Sequence, residues 1–155
     1  MDDLPLQRLD DEQFDLVRFP EGREFKMGQG YDNFKNGLLE SFPEEEEAID
    51  KFIEKVLELV LYFPLYNLEM DSPHNYFNNP DLLELDAWEF VSSITDNIQL
   101  RAVLLGNGAL YAGEQNITPF YVVALITNSY IKGSYRLQNG GGELSKAMSR
   151  RLKEV

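Results

Sequence analysis

The residues with most to offer chemically stand in Asn139-Gly140-Gly141-Gly142, followed directly by ELSKAM. Three glycines ahead of a helical pattern allow positive φ and bring backbone amides to a helix start, where an anion or a flat cofactor can approach closely. The spacing is neither the dinucleotide fingerprint G-x-G-x-x-G nor the phosphate loop G-x-x-x-x-G-K-[ST]. On local residues alone, a plain strand-to-helix turn is the stronger reading. Other candidates offer less. The run Glu44 to Glu47 spreads its carboxylates around a helix, and it suits the positive end of a helix dipole better than a cation. His74 is the one histidine and cysteine is absent. A zinc site would therefore have to surround a single imidazole with carboxylates, and no Ser-His-Asp set can be assembled. Trp88 falls on the apolar side of a helical pattern and reads as core.

The elements that must position such groups are legible in outline. FDLVRFPEGREFKMG (14–28) has two β-prone runs around Pro20-Glu21-Gly22, a hairpin with one wet face. A helix is expected over 31–42, weakened by Gly37. SFPEEEEAIDKFIEKVLELVLYF (41–63) carries the strongest periodicity: Ile49, Phe52, Ile53, Val56, Leu57 and Val60 form one stripe, with Glu47 and Lys51 paired opposite. Its last turn, Leu59 to Phe63, is apolar all round, as for an end buried on every side or bordering a cavity. Residues 64–85 show no period and read as a long loop with room for a short helical turn. Asp86 should cap a helix over AWEFVSSI and Asp96 one over NIQLRAVLLGNGALY, loosened by Gly106 and Gly108. ITPFYVVALITNSYI (117–131) is apolar at every position from Phe120 to Ile126, as a central helix or a pocket wall would be. A strand is expected over 129–138, then the glycine turn and a last helix with Arg150, Arg151 and Lys153 near its C-terminal end.

The 155 residues suit one domain, and 43% hydrophobic with 26% charged residues is ordinary for a globular chain. With 27 acidic against 14 basic side chains and a net charge of -13, a nucleic-acid backbone is excluded as a partner on electrostatic grounds. No apolar run approaches the roughly 20 residues of a membrane-spanning helix. MDDLPLQRLDDEQ lacks the apolar core of a signal peptide, so a cytoplasmic setting is expected, with peripheral membrane contact through a local apolar face left open.

The order of these features resembles the middle region of the FAD-dependent phytoene desaturase, carotenoid isomerase and retinol saturase family. FDLVRFPEGREFKMGQGYDNFKNGLLESFPEEEEAIDKFIE is similar to that family's R-F-P-D-G-x-E-F, G-Y-x-x-F and F-P-E-E-x-x-A-I-D succession. AWEFVSSITDNIQLRAVLLGNGALYAG and NSYIKGSYRLQNGGGELSKAM continue it, with Gly140 and Gly141 as the paired glycines. The family's N-terminal G-x-G-x-x-G, its ribose-binding acid and its C-terminal flavin segment have no counterpart. The resemblance therefore implies a single substrate-binding domain, residues 1–155, inserted in a larger flavoenzyme whose flavin-binding domain would be its partner. It further implies that FAD belongs to that parent and not to these residues alone, and that the substrate is a long apolar polyene such as a carotenoid or retinoid. Gly140 and Gly141 would lie against flavin and substrate, with Tyr135 and Asn139 beside them. Phe120 and Tyr121 would line the apolar space. No acid or base can be named, because in this chemistry the hydride moves to or from the flavin.

The expected fold is α+β: a small antiparallel sheet, made from the 14–28 hairpin and the 129–138 strand, packed against several helices. A stand-alone carrier of apolar ligands and an acidic protein-interaction module are the alternatives.

Overall fold

The computed structural model describes residues 4–69 and 79–153, so His74 and part of the long polar loop lie outside the described residues. The fold is α+β. Strands β1 (Leu6–Arg8), β2 (Asp15–Arg18) and β3 (Glu24–Met27) precede helices α1 (Tyr31–Ser41) and α2 (Glu46–Leu61). Two short helices, α3 (Pro64–Asn67) and α4 (Asp81–Glu84), stand where the sequence reads as loop. Then come α5 (Ala87–Ile94), α6 (Ile98–Leu104), a 3-10 segment Gly106–Tyr111, α7 (Phe120–Lys132), β4 (Tyr135–Leu137) and α8 (Gly142–Lys153).

Helix α7 is the axis. It packs against α1, α2, α4, α5 and the 3-10 segment, which is why its first half, Phe120 to Ile126, is apolar at every position. Phe120 has no exposed surface and sits edge-on to Phe52 of α2 at 5.7 Å and against Phe90 of α5 at 4.4 Å. Burying a side chain of that size contributes about 1.5–3 kcal/mol, before the gain from ring geometry. Helix α2 buries Ile49, Phe52, Val56, Leu59 and Val60, while Lys51 bonds Glu47 at 2.6 Å on its wet side. Leu61 is 55% exposed, so the last turn of α2 is not buried on every side. Within the four-glutamate run, Glu45 accepts a hydrogen bond from the buried Thr95 at 2.8 Å and Glu46 faces Lys35 at 3.6 Å. Among the described residues there is no cluster of acidic or histidine side chains fit for a metal.

The strands depart from expectation. β2 and β3 form the hairpin, in register Asp15↔Met27 to Arg18↔Glu24. The strand expected over 129–138 does not join it. Helix α7 continues to Lys132 and ends only at Gly133, leaving Tyr135–Leu137 to pair with Leu6–Arg8 as a separate two-stranded ribbon. Apolar periodicity could not show where a fully buried helix stops, and a three-residue strand is below what alternation resolves. The cap of α6 also moves by one residue. Asn97 accepts from the amides of Gln99 and Leu100, and Asp96 instead pairs with Arg101 at 3.0 Å.

The ribbon is fastened to the helices by Gln29, 2% exposed. Its Nε2 donates to the carbonyls of Leu9 at 2.8 Å and Asp10 at 3.0 Å, and its Oε1 accepts from the Ser134 amide at 2.8 Å. The Gln29 amide reaches Asp11 and the Gly30 amide reaches Ile131, each at 2.7 Å. Gly28 alongside has no room for a side chain, since a Cβ would stand 2.9 Å from Asn33 Cβ. Gln29→Leu strands two carbonyls and one amide away from water, so urea unfolding should show a loss of about 2–4 kcal/mol with faster amide exchange at Ser134. A loss under about 0.5 kcal/mol would mean the ribbon is held elsewhere.

Candidate ligand-binding site

The glycine turn lies at the far end of the β1–β4 ribbon. Gln138 donates its amide to Pro5 at 2.8 Å, and the Gly140 amide closes a turn onto Leu137 at 3.1 Å. Asn139 (φ 64) and Gly140 (φ 84) both take left-handed backbone, which explains an Asn-Gly pair there. Gly141 and Gly142 have no such excuse. Neither has positive φ, and a Cβ on either would meet no atom within 4 Å. Nothing in the described chain requires glycine at those two positions.

The six residues singled out from the sequence fall in three surroundings. Tyr135 is exposed and borders a groove of about 320 Å³ with Phe14, Tyr130 and Gly133. Phe14 and Tyr130 stack there with parallel rings 5.9 Å apart. Asn139 and Gly140 border a more polar hollow with Gln7 and Arg136, while Gly141 stands in the open. Phe120 is core. Tyr121 is half-buried and stacks on Phe63 at 5.3 Å, so the apolar segments 59–63 and 120–126 meet through ring contact. The structure thus places Tyr135 at the start of β4 and the glycine turn beyond its end, in separate hollows, and keeps Phe120 and Tyr121 in the helical body.

Helix α8 follows the turn and buries no residue. Leu144, Met148 and Leu152, four residues apart, form an exposed apolar line. Glu143 pairs with Lys146 at 2.8 Å in its first turn. The basic residues Arg150, Arg151 and Lys153 gather in its last turn. No helix among the described residues is long and apolar enough to cross a membrane.

Two features escaped sequence reasoning. Trp88 is half-buried rather than core and lines a cleft of about 190 Å³ with Tyr111, Leu105 and Val123. The signal was present in LGNGALYAG, where glycines on both sides of Tyr111 leave space around the ring. The second is a buried polar chain. Tyr31 donates to Asn128 Oδ1 at 2.7 Å, and Asn128 Nδ2 donates to the Tyr66 hydroxyl at 2.7 Å. The Tyr66 hydroxyl also meets the Leu125 carbonyl at 3.1 Å and Ser129 Oγ at 2.8 Å. Asn128 has no exposed surface, so this chain fixes α1 and α3 against one face of α7. Burial first, and the nearby Tyr66 second, push the Tyr31 hydroxyl up to about 12.

The chain is similar along most of its length to enzymes of retinoid reduction. It is 28% identical over 149 residues to the all-trans-retinol 13,14-reductases of Homo sapiens and Macaca fascicularis, and 29% identical over 153 residues to that of Rattus norvegicus. These matches cover 84–85% of this chain but 24% of each relative, so the chain spans about a quarter of the proteins it matches. No family model and no solved structure matches it.

The tyrosine chain has a consequence for pH. Tyr31 is held neutral in the fold up to about pH 12, whereas an unfolded tyrosine ionises near its ordinary value of about 10. Its stabilisation is complete below about pH 10 and is lost as pH rises through 10 to 12. Burial also pushes the Tyr111 hydroxyl up, so late tyrosinate absorbance should be reduced in Tyr31→Phe rather than abolished. That variant should also lose about 1–3 kcal/mol at neutral pH, because Asn128 Oδ1 is left without a donor. A titration identical to wild type would remove the assignment.

Proposed function

We propose that this chain is the substrate-binding segment of a flavin-dependent oxidoreductase of the phytoene desaturase and retinol saturase family, acting on a long apolar polyene of retinoid type. The observation that carries the reading is a similarity running through 84% of the chain, yet touching only a quarter of enzymes named for reducing retinol. The carotenoid alternative rests on the resemblance in sequence order alone.

In this reading the described residues contribute no dinucleotide fold of their own. Their strands pair only as two antiparallel ribbons, without the parallel sheet on which such cofactors ordinarily sit. What they offer is one bare wall. At Gly141 and Gly142 the backbone is open on its Cβ side, as a surface approached by a flat ring would be. A bound flavin would supply the hydride chemistry. The chain's own part would be to orient the polyene: Gly140 and Gly141 permit close approach, Asn139 offers amide hydrogen bonds, and Tyr135 with the Phe14–Tyr130 stack gives an aromatic flank. The Leu144, Met148 and Leu152 line of α8 would be covered by the flavin-binding part of the same polypeptide. That assignment accounts for an amphipathic helix that buries no residue among the described ones.

Gly141→Val separates this reading from a stand-alone carrier. A Cβ there meets no atom within 4 Å and the position requires no positive φ, so the 155-residue chain should keep its stability to within about 0.5 kcal/mol. In the full-length polypeptide it should cut flavin content or retinol turnover at least tenfold. The 155 residues alone should purify colourless. Stoichiometric FAD on them, or a full-length protein indifferent to valine at 141, would reject the flavoenzyme assignment.

A further inference from the structure

The Trp88–Tyr111 cleft is separate from the glycine turn and has a built character. It lies between α5, the 3-10 segment and the first turns of α7, with Leu105 and Val123 completing an apolar wall. Gly113 fixes Tyr111 in place: a Cβ there would stand 2.7 Å from the tyrosine ring and 3.2 Å from the Gly108 backbone. The turn between the 3-10 segment and α7 is itself pinned, with Thr118 Oγ1 accepting from the Glu114 amide at 2.7 Å and donating to the Glu114 carbonyl at 3.0 Å. Neither the Tyr111 hydroxyl nor the Trp88 indole N–H makes a hydrogen bond among the described residues. Two large aromatic side chains thus line a space that the described residues leave open.

Size and charge narrow the occupant. A volume of about 190 Å³ is below the roughly 300–1,000 Å³ of sites that hold a whole drug-sized ligand. A complete polyene does not fit, while a single methylated ring does. Glu114 stands at the rim of a chain with net charge -13, which opposes a carboxylate or phosphate. Leu105, Val123 and Ala87 make much of the lining aliphatic, which suits a hydrocarbon ring better than the all-aromatic box that favours a quaternary ammonium.

We propose that this cleft is the subsite for the cyclic end group of a neutral terpenoid, with Trp88 and Tyr111 as its specificity-determining walls. The proposal rests on the retinoid reading, since retinol ends in a trimethylated cyclohexene ring. The cleft would hold that terminus while the chain of double bonds runs out toward the reacting centre, fixing which bond of the polyene is presented.

Trp88 is the one tryptophan in the sequence, so indole emission reports this cleft directly. The 155-residue chain is titrated with β-ionol, a short alcohol carrying the ring, and with geraniol, an acyclic counterpart, and tetramethylammonium. β-Ionol should change Trp88 emission saturably and shift the Leu105 and Val123 methyl resonances, with geraniol at least fivefold weaker. Gly108→Leu should weaken β-ionol at least tenfold; a Cβ at Gly108 meets only the Tyr111 hydroxyl, at 4.0 Å, so the variant fills the cleft without a backbone clash. The methyl shifts test occupancy in the unaltered chain if that variant does not fold. Absence of saturable binding, equal affinity for geraniol, or response to tetramethylammonium alone would overturn the subsite. Loss of ring binding beside intact retinol turnover in the full-length polypeptide rejects the subsite only. Ring binding by a full-length polypeptide devoid of flavin rejects the oxidoreductase reading and keeps the subsite.

Discussion

A single buried carboxamide, that of Gln29, decides how the two halves of this fold meet. The helical body can close around α7 by apolar burial alone, because its stripes are continuous and its aromatic rings interlock. The β1–β4 ribbon has no such means. Both of its strands are three residues long, and β1 is exposed throughout. A two-stranded ribbon of that length is not stable in water by itself. Its position therefore derives from the hydrogen bonds that Gln29 makes to Leu9, Asp10 and Ser134. In a low-dielectric setting those bonds are strong when complete and costly when broken, so the joint is specific as well as firm.

The same logic runs through α7. An entirely apolar helix could rotate or slide against its neighbours at little cost, because hydrophobic burial is not directional. Asn128 removes that freedom. It has no exposed surface and is satisfied only when Tyr31 of α1 and Tyr66 of α3 stand at hydrogen-bond distance together. The register of α7 in turn sets where Gly133 falls, and so where the chain leaves the body for the ribbon. Polar contacts at Gln29 and Asn128 thus specify a geometry that apolar contacts supply the energy to hold.

Much of the body was legible in the sequence. The stripe of α2, the Asp86 cap of α5, the all-apolar run of α7 and the 14–28 hairpin each rest on local patterns, and each stands close to where those patterns put it. What could not be read is what depends on distant partners. Nothing near Tyr135 announces that it pairs with Arg8, more than a hundred residues earlier, so local sequence does not separate the β1–β4 ribbon from the hairpin. Trp88 shows the same limit: its helical face is apolar, but whether that face meets core or a cleft depends on glycines at 108 and 113. The site residues divide likewise. Asn139 and Gly140 are explained by their own backbone, whereas the surroundings of Phe120 and Tyr121 follow only from the packing of α7.

Gly141 and Gly142 then pose an energetic question that the chain does not answer internally. Ordering consecutive glycines forfeits more backbone entropy than ordering any other residue, about 0.5–1 kcal/mol each relative to alanine within an element. Folding ordinarily recovers such a loss where a side chain would clash or where φ is positive, and at these two positions neither holds. Helix α8 compounds the deficit, since a helix of this length is marginal in water unless its apolar face is covered. Two costs side by side, both uncompensated among the described residues, are coherent if a single neighbouring surface offsets them together. In the proposed reading that surface is the flavin-binding part of the polypeptide, which meets the apolar line of α8 and carries the ring that approaches the bare backbone. The ribbon held by Gln29 is what would bring both to it in register.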